Sequence, residues 1–321
     1  MKDATRQQAD APRAPARWSV LPNGMEVAYQ SRAEVGFFYE DIFEKEIYLQ
    51  HGLTLDDGAC VFDVGANVGF FTLFVNRKRR GVQVYAFEPA PPLFEILSLN
   101  VAHHGVAAHL FNCGLSNRAG RASFTFYPNS SGMSSFHADR EEERENLRAI
   151  LLNQARRGDA GVERLMRHAD DLLDERLKAQ TFECPLRTLS DVIAEQRVGR
   201  IDLMKIDVQK CELEVLEGIG DGDWPKIRQL VVEVHDTDGR AGRVRELLSA
   251  RGFDTKAVQD EHYESSDIYN LYAVRAAPAP ALRNGPRPGA DVARQAQERA
   301  RRQEEALGRS RLLNEQRKRG K

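Results

Sequence analysis

Cysteine is scarce, with four in 321 residues, at Cys60, Cys113, Cys184 and Cys211 and no C-x-x-C pair among them. A disulfide framework or a cysteine-rich zinc site is therefore not expected, and the thiols read as reduced residues of a cytoplasmic protein. Long apolar runs are missing too, and a bilayer span needs about 18 such residues or more. The stretch Met1 to Asp10 is polar and lacks the apolar core of a signal peptide. Net charge is small, −2 overall, but unevenly spread. From Ala276 onward twelve Lys and Arg face five Asp and Glu, a surplus of seven positive charges, so the preceding chain is nine negative. A basic tail suits an acidic protein, an anionic membrane surface or nucleic acid. The body carries no second basic stripe, so a nucleic-acid partner is not expected.

What is present is an α/β pattern with a glycine turn. Val61-Phe62-Asp63-Val64-Gly65-Ala66-Asn67-Val68-Gly69-Phe70 reads as a short strand ending near an acid, a turn through two glycines, and a helix. Glycine lets backbone approach a ligand closely because it has no Cβ. A second strand, Val82 to Phe87, ends at Glu88-Pro89. A glycine turn after one strand and an acid after the next is how α/β folds hold an adenosine, the acid taking the ribose hydroxyls. The spacing D-x-G-x-x-x-G is not the dinucleotide G-x-G-x-x-G. Asp63 in the leading position disfavours a pyrophosphate and suits a cation, which points to S-adenosyl-L-methionine rather than NAD.

Residues 1–17, rich in Ala, Pro, Gln and charge, are expected to be disordered. Residues 18–57 form a lead-in or cap, with helical spacing from Asp41 to Leu49; its aromatics Phe37, Phe38, Tyr39, Phe43 and Tyr48 either shape a substrate mouth or pack a helix. Strands are expected near 59–64, 82–87, 108–112, 201–206, 228–234, 253–258 and 269–274, and helices near 68–79, 91–103, 188–196, 211–219 and 240–251. Together they predict an α/β, Rossmann-like domain over 58–275, a mostly parallel seven-stranded sheet with an antiparallel last strand. Residues 128–184 interrupt the alternation. Their charged stretch has leucines at helical intervals (Leu147, Leu151, Leu165, Leu172, Leu173, Leu177), so a helical insert or substrate lid is expected before the fourth strand. Residues 276–321 read as a Pro/Gly linker and basic helical tail.

Three motifs together resemble the FkbM family of S-adenosylmethionine-dependent methyltransferases: Asp63 to Gly69, Phe87-Glu88-Pro89, and Lys205-Ile206-Asp207-Val208-Gln209-Lys210-Cys211-Glu212. The family's later motif, roughly K-I-D-V-E-G-x-E-x-x-V-L, is matched at Lys205, Ile206, Asp207, Val208, Glu212, Val215 and Leu216. The chain departs from it with Gln209 for Glu, Lys210 for Gly and Cys211 for a small residue. The resemblance covers roughly residues 58–275. It implies a class I methyltransferase, most often an O-methyltransferase of secondary metabolism. The Gln-Lys variant resembles domains tied to polyketide and nonribosomal peptide assembly lines, which implies a hydroxylated acceptor, small or carrier-bound, and an assembly-line partner for the tail. Sugar O-methylation and N-methylation are the alternatives within enzymes; a non-catalytic S-adenosylmethionine-binding scaffold is the alternative outside them.

On this reading Asp63, Gly65, Ala66, Asn67, Gly69 and Phe70 form the donor turn. Glu88 and Pro89 hold the ribose, and Asn112 and Gly114 meet the adenine. Asp207, ending the fourth strand, holds the donor's ammonium, acts as a base or binds a metal. Lys205 lies two residues earlier on the same strand face. Glu233 and His235 project together at the end of the fifth strand, with His235 as the expected general base for a hydroxyl. A divalent metal is not expected; the alternative that includes one uses Asp207, Glu233 and His235.

Overall fold

The computed structural model describes residues 16–156 and 169–275. The expected disorder before residue 16, Leu165, and the basic tail from 276 lie outside the described residues.

The chain opens with a hairpin, β1 (Arg17–Val20) and β2 (Glu26–Tyr29), then helix α1 (Arg32–Tyr39). The helical spacing from Asp41 to Leu49 does not become one helix. A π-turn over Glu40–Glu44 ends at Lys45, and Glu46 takes a left-handed φ of 52° before a single 3₁₀ turn at Ile47–Leu49. The α/β alternation follows: β3 (Cys60–Val64), α2 (Phe70–Lys78), β4 (Gln83–Phe87), α3 (Pro91–His103) and β5 (Ala108–Phe111). Helix α3 opens on Pro91-Pro92, where a missing N–H costs nothing.

The interruption is not purely helical. Strands β6 (Gly114–Leu115), β7 (Gly120–Phe126) and β8 (Gln180–Arg187) make a second sheet in the order β6-β8-β7. Helices α4 (Arg140–Arg156) and α5 (Ala169–Arg176) hang between β7 and β8. The insert thus has a β arm that the sequence reading missed, and residues 180–184 belong to the arm. Tyr127, Met133, Leu147, Leu151, Leu173 and Leu177 bury against one another to hold the helices on it.

Past the arm come α6 (Leu189–Glu195), β9 (Leu203–Ile206), α7 (Glu212–Glu217), β10 (Gln229–His235), α8 (Arg240–Ala250), β11 (Phe253–Val258) and β12 (Ile268–Arg275). The main sheet runs β11-β12-β10-β9-β3-β4-β5, and β12 is antiparallel between β10 and β11. Both faces of the central strands are covered, so β3, β4, β9 and β10 are buried and mostly apolar, while the edge strand β11 is largely exposed. Val61, Val84 and Leu203 pack toward α2, α3 and the lead-in; Phe62, Tyr85 and Met204 pack toward α6, α7 and α8.

At the sheet's carboxyl edge the turns after β3 and β9 touch. Gly65 has φ +78°, and a Cβ there would lie 1.8 Å from the Asp207 carbonyl oxygen. The Asp207 N–H donates to the Val64 carbonyl at 3.0 Å, locking the two turns together. Gly65→Ala adds left-handed strain of about 1–2 kcal/mol and a backbone clash worth about 1–3 kcal/mol. Urea unfolding should show a loss of roughly 2–5 kcal/mol; an unchanged midpoint would mean that the turns have slack.

Candidate active site

A narrow cleft of about 90 Å³ lies over this edge, and it opens into a chamber of about 830 Å³ roofed by the insert. Phe38, Ile42, Tyr48, Gly132, Asp207 and Gln209 line both, so the two spaces meet at the β9 turn.

Gly65, Ala66, Asn67, Phe70, Glu88, Pro89, Gly114, Lys205 and Asp207 line the cleft. Glu88 is buried at its floor. One carboxylate oxygen accepts the Asn67 N–H at 2.8 Å and the other the Ala90 N–H at 2.9 Å. Burial pushes its carboxyl up to about 7 against the pull of those two donors and of Lys205. Each oxygen keeps a lone pair for a further donor. A vicinal diol would supply two, so the residues fit the ribose of an adenosine. Pro89, Leu93, Cys113, Leu115 and Phe136 make the adjoining wall apolar, as a purine requires.

Three residues expected at the donor lie behind it instead. Asp63 is fully buried, accepts from the Thr72 hydroxyl at 2.7 Å, and sits 3.4 Å from the Lys205 ammonium. It acts on the cleft through that lysine and through its repulsion of Glu88. Gly69 starts α2 with φ +92°, where a Cβ would strike Leu97. Asn112 donates to the carbonyls of Glu88 and Pro89 at 2.8 and 3.1 Å, which positions the turn without reaching the cleft.

Lys205 donates to the Gly65 carbonyl at 2.6 Å and lies 3.4 Å from Asp207. Burial alone would lower its pKa, but Asp207, Asp63 and Glu233 outweigh it and hold it above the ordinary lysine value. It is therefore a fixed ammonium and not a base. Asp207 accepts from the Tyr48 hydroxyl at 3.2 Å and from the Gln209 amide at 2.9 Å; that amide also reaches Glu233 at 3.3 Å. Gln209, where the resembled motif has Glu, thus joins two carboxylates that a third would repel. Glu233 lines the chamber, and burial, with Asp207 next, raises its carboxyl well above the usual range.

His235 does not reach this place. It lies one pleat beyond Glu233 with 1% exposure and lines neither space; Asp267 is 3.5 Å from its Nδ1. The expectation of His235 as base is corrected by position: the strand end turns it toward Asp267 and Glu212. Nor do Asp207, Glu233 and His235 converge on one point. Among the described residues, the metal-type group that does converge is Asp41, Asp260 and His262, and Lys45 already places its ammonium 3.1 Å from Asp41 and 2.8 Å from His262 Nδ1.

Of the lead-in aromatics, Phe37, Phe38 and Tyr48 face the chamber, while Tyr39 and Phe43 stack on each other. Sequence reasoning missed Ser131, His262, Tyr263 and Arg176, all on the walls. Only folding brings them near, and no motif flags them. Lys210 carries a left-handed φ of 74°, where the resembled motif has Gly, and its ammonium meets Glu142 at 2.6 Å and Glu143 at 3.1 Å of α4. The departure fastens the insert to the β9 turn.

The strand order, the glycine turn after β3 and the buried acid after β4 define a Rossmann-like class I methyltransferase. The family model described as "Methyltransferase FkbM domain" matches residues 63–255. The chain is 43% identical over 257 residues to the 31-O-demethyl-FK506 methyltransferase FkbM of Streptomyces tacrolimicus, covering 80% of this chain and 96% of that one. It is 40% identical to the AMB antimetabolite synthetase AmbE of Pseudomonas aeruginosa over 79% of its own length, but spans only 12% of that protein. With the methyltransferase sdnD of Sordaria araneosa it shares 34% identity, over 76% of this chain and 91% of that one. The chain belongs to the FkbM methyltransferase family, and it is a methyltransferase.

Glu88 has a folded pKa of about 7 above an ordinary 4.5, so the folded state binds the extra proton between these values. Stability therefore falls as pH rises through that window, by roughly 3 kcal/mol from this residue. Urea titrations of the donor-free protein at pH 5 and pH 8 should show a smaller difference for Glu88→Gln than for wild type. Equal differences would mean that Glu88 is not held near-neutral.

Proposed function

We propose that this methyltransferase transfers the methyl group of S-adenosylmethionine to a hydroxyl of a secondary metabolite, a polyketide or peptide, free or carried on an assembly-line protein. Two of the named relatives support the acceptor class, one acting on 31-O-demethyl-FK506 and one an antimetabolite synthetase. The four free cysteines suit a cytoplasmic setting.

The observation that carries the proposal is the Asp207–Gln209–Glu233 chain at the junction of cleft and chamber. When bound, the donor supplies an electrophilic methyl on a sulfonium. Glu88 and the apolar wall beside it hold the nucleoside. The backbone turn Gly65–Asn67 and Asp207 flank the methionine portion, with Lys205 keeping both turns in place. Glu233 would take the proton of the acceptor hydroxyl as that oxygen receives the methyl group, the donor leaving as a neutral thioether. Burial, then Asp207, raises its pKa, so less of it is ionised while the ionised form is a stronger base than an exposed carboxylate, and Lys205 pulls toward that ionised form. Tyr48 and Tyr263 are kept as phenols by burial and by the carboxylates around them, and the Tyr48 hydroxyl donates to Asp207.

Calorimetry with S-adenosylhomocysteine, and turnover against a panel of hydroxylated polyketides, separate the two halves. Glu88→Ala should abolish measurable nucleoside binding. Glu233→Gln should keep it while kcat drops by about 10²–10⁴-fold. A Glu233→Gln enzyme at full kcat would remove Glu233 as the base, and a folded wild type that fails to bind would sink the donor site.

A further inference from the structure

The chamber's charges are not evenly neutralised. Its carboxylates each have a settled arrangement. Glu34 accepts from the Ser131 hydroxyl at 2.9 Å and the Gly132 N–H at 3.1 Å. Asp41 pairs with His262 at 2.9 Å and Lys45 at 3.1 Å, and Glu40 lies 3.4 Å from each of those two. Asp207 has Tyr48, Gln209 and Lys205, and Glu233 is pushed toward its neutral form. The cation is different. Arg176, at the end of α5, is the one Lys or Arg among the described residues that line the chamber. Its Nε donates to the Ser130 hydroxyl at 2.9 Å, and among the described residues its two terminal nitrogens have no hydrogen-bond partner and it forms no ion pair. Burial lowers its pKa, and the attraction of Glu34 does not make up the loss. A half-buried guanidinium in this state feels Glu34 at a distance but has no directly paired counter-ion among the described residues.

The wall around it is apolar, with Met133, Leu147, Leu151 and Leu172 contributed by the insert. Resting on the chamber as the acceptor site, we infer that the acceptor carries an anionic group, a carboxylate or phosphate, and that Arg176 binds it. The planar guanidinium presents two parallel N–H donors to such a group, a geometry that a neutral hydroxyl or amide does not match. A cationic acceptor would meet repulsion at the one place where the chamber has charge to spare. The acceptor is then an apolar body held under the insert, its anionic end at Arg176 and its hydroxyl at Glu233. The chemistry has two sources: the free carboxylate of an acid, or the phosphodiester of a carrier protein's pantetheine arm.

The test is calorimetry on the full chain saturated with S-adenosylhomocysteine, titrated separately with octanoate and with 4′-phosphopantetheine. At least one should bind wild type, more weakly at higher salt. Its affinity should fall at least tenfold in Arg176→Gln and return in part in Arg176→Lys, with S-adenosylhomocysteine affinity unchanged in both. The anion that binds more tightly identifies the source. A wild type that binds S-adenosylhomocysteine but neither anion overturns the inference and leaves the donor site standing; so does an Arg176→Gln protein that binds the anions as well as wild type. A wild type that fails to bind S-adenosylhomocysteine overturns the donor reading, and this inference with it.

Discussion

The backbone contact between Gly65 and Asp207 is the constraint on which the rest of the site depends. Two parallel neighbours, β3 and β9, end together, and the turn leaving one lies against the turn leaving the other with no room for a side chain. This places the donor turn and the acidic β9 end within one hydrogen-bond network. Lys205 spans it, donating to the Gly65 carbonyl at 2.6 Å with Asp63 and Asp207 each 3.4 Å away. Widening the gap would separate the cleft from the chamber, because their shared wall is this turn.

The buried charges around that contact are arranged for position more than for stability. Removing a carboxylate or an ammonium from water costs several kcal/mol per ion, and a buried pair recovers this only with good geometry. Here one lysine serves two aspartates, and among the described residues Glu233 has no direct ion pair, so burial and Asp207 push it toward its neutral form. Gln209 explains how the arrangement tolerates its own density of acids: an amide donates to both Asp207 and Glu233 where a carboxylate could only accept. Its neighbour Lys210 accepts a left-handed backbone to reach Glu142 and Glu143. The two departures from the family motif act on different structures, Gln209 on the Asp207–Glu233 pair and Lys210 on the roof.

That roof is an insertion in a sheet whose order is otherwise complete without it. The β7–β8 arm leaves after β5 and β6 and returns before α6, so the helices α4 and α5 cover the chamber without disturbing a central strand. The same stretch of chain matches a relative nearly its own size and a segment making up 12% of a much larger one.

The main sheet, its helices and the donor turn were legible in the sequence because they are local. Continuous apolar strands, proline at the start of α3 and the glycine turn all state their geometry within a few residues. Glu88 was legible for the same reason, since it ends a strand at a fixed interval from the glycines. The second sheet was not, because β7 and β8 are separated by more than fifty residues and alternate only weakly. Pairing over that distance leaves no local signal. Asp63 and Asn112 were read by position as ligand residues, whereas the tertiary structure turns them inward to hold Lys205 and the Glu88 turn. His235 shows the limit most clearly: strand periodicity put it on the same face as Glu233, but the strand end turns it toward Asp267 and Glu212 while Glu233 lines the chamber. The sequence by itself determined the sheet, the donor turn and the class of chemistry. Which buried side chains face the cavity, and which carry unneutralised charge there, was decided only when distant segments packed, because exposure and electrostatic partners are properties of the assembled fold.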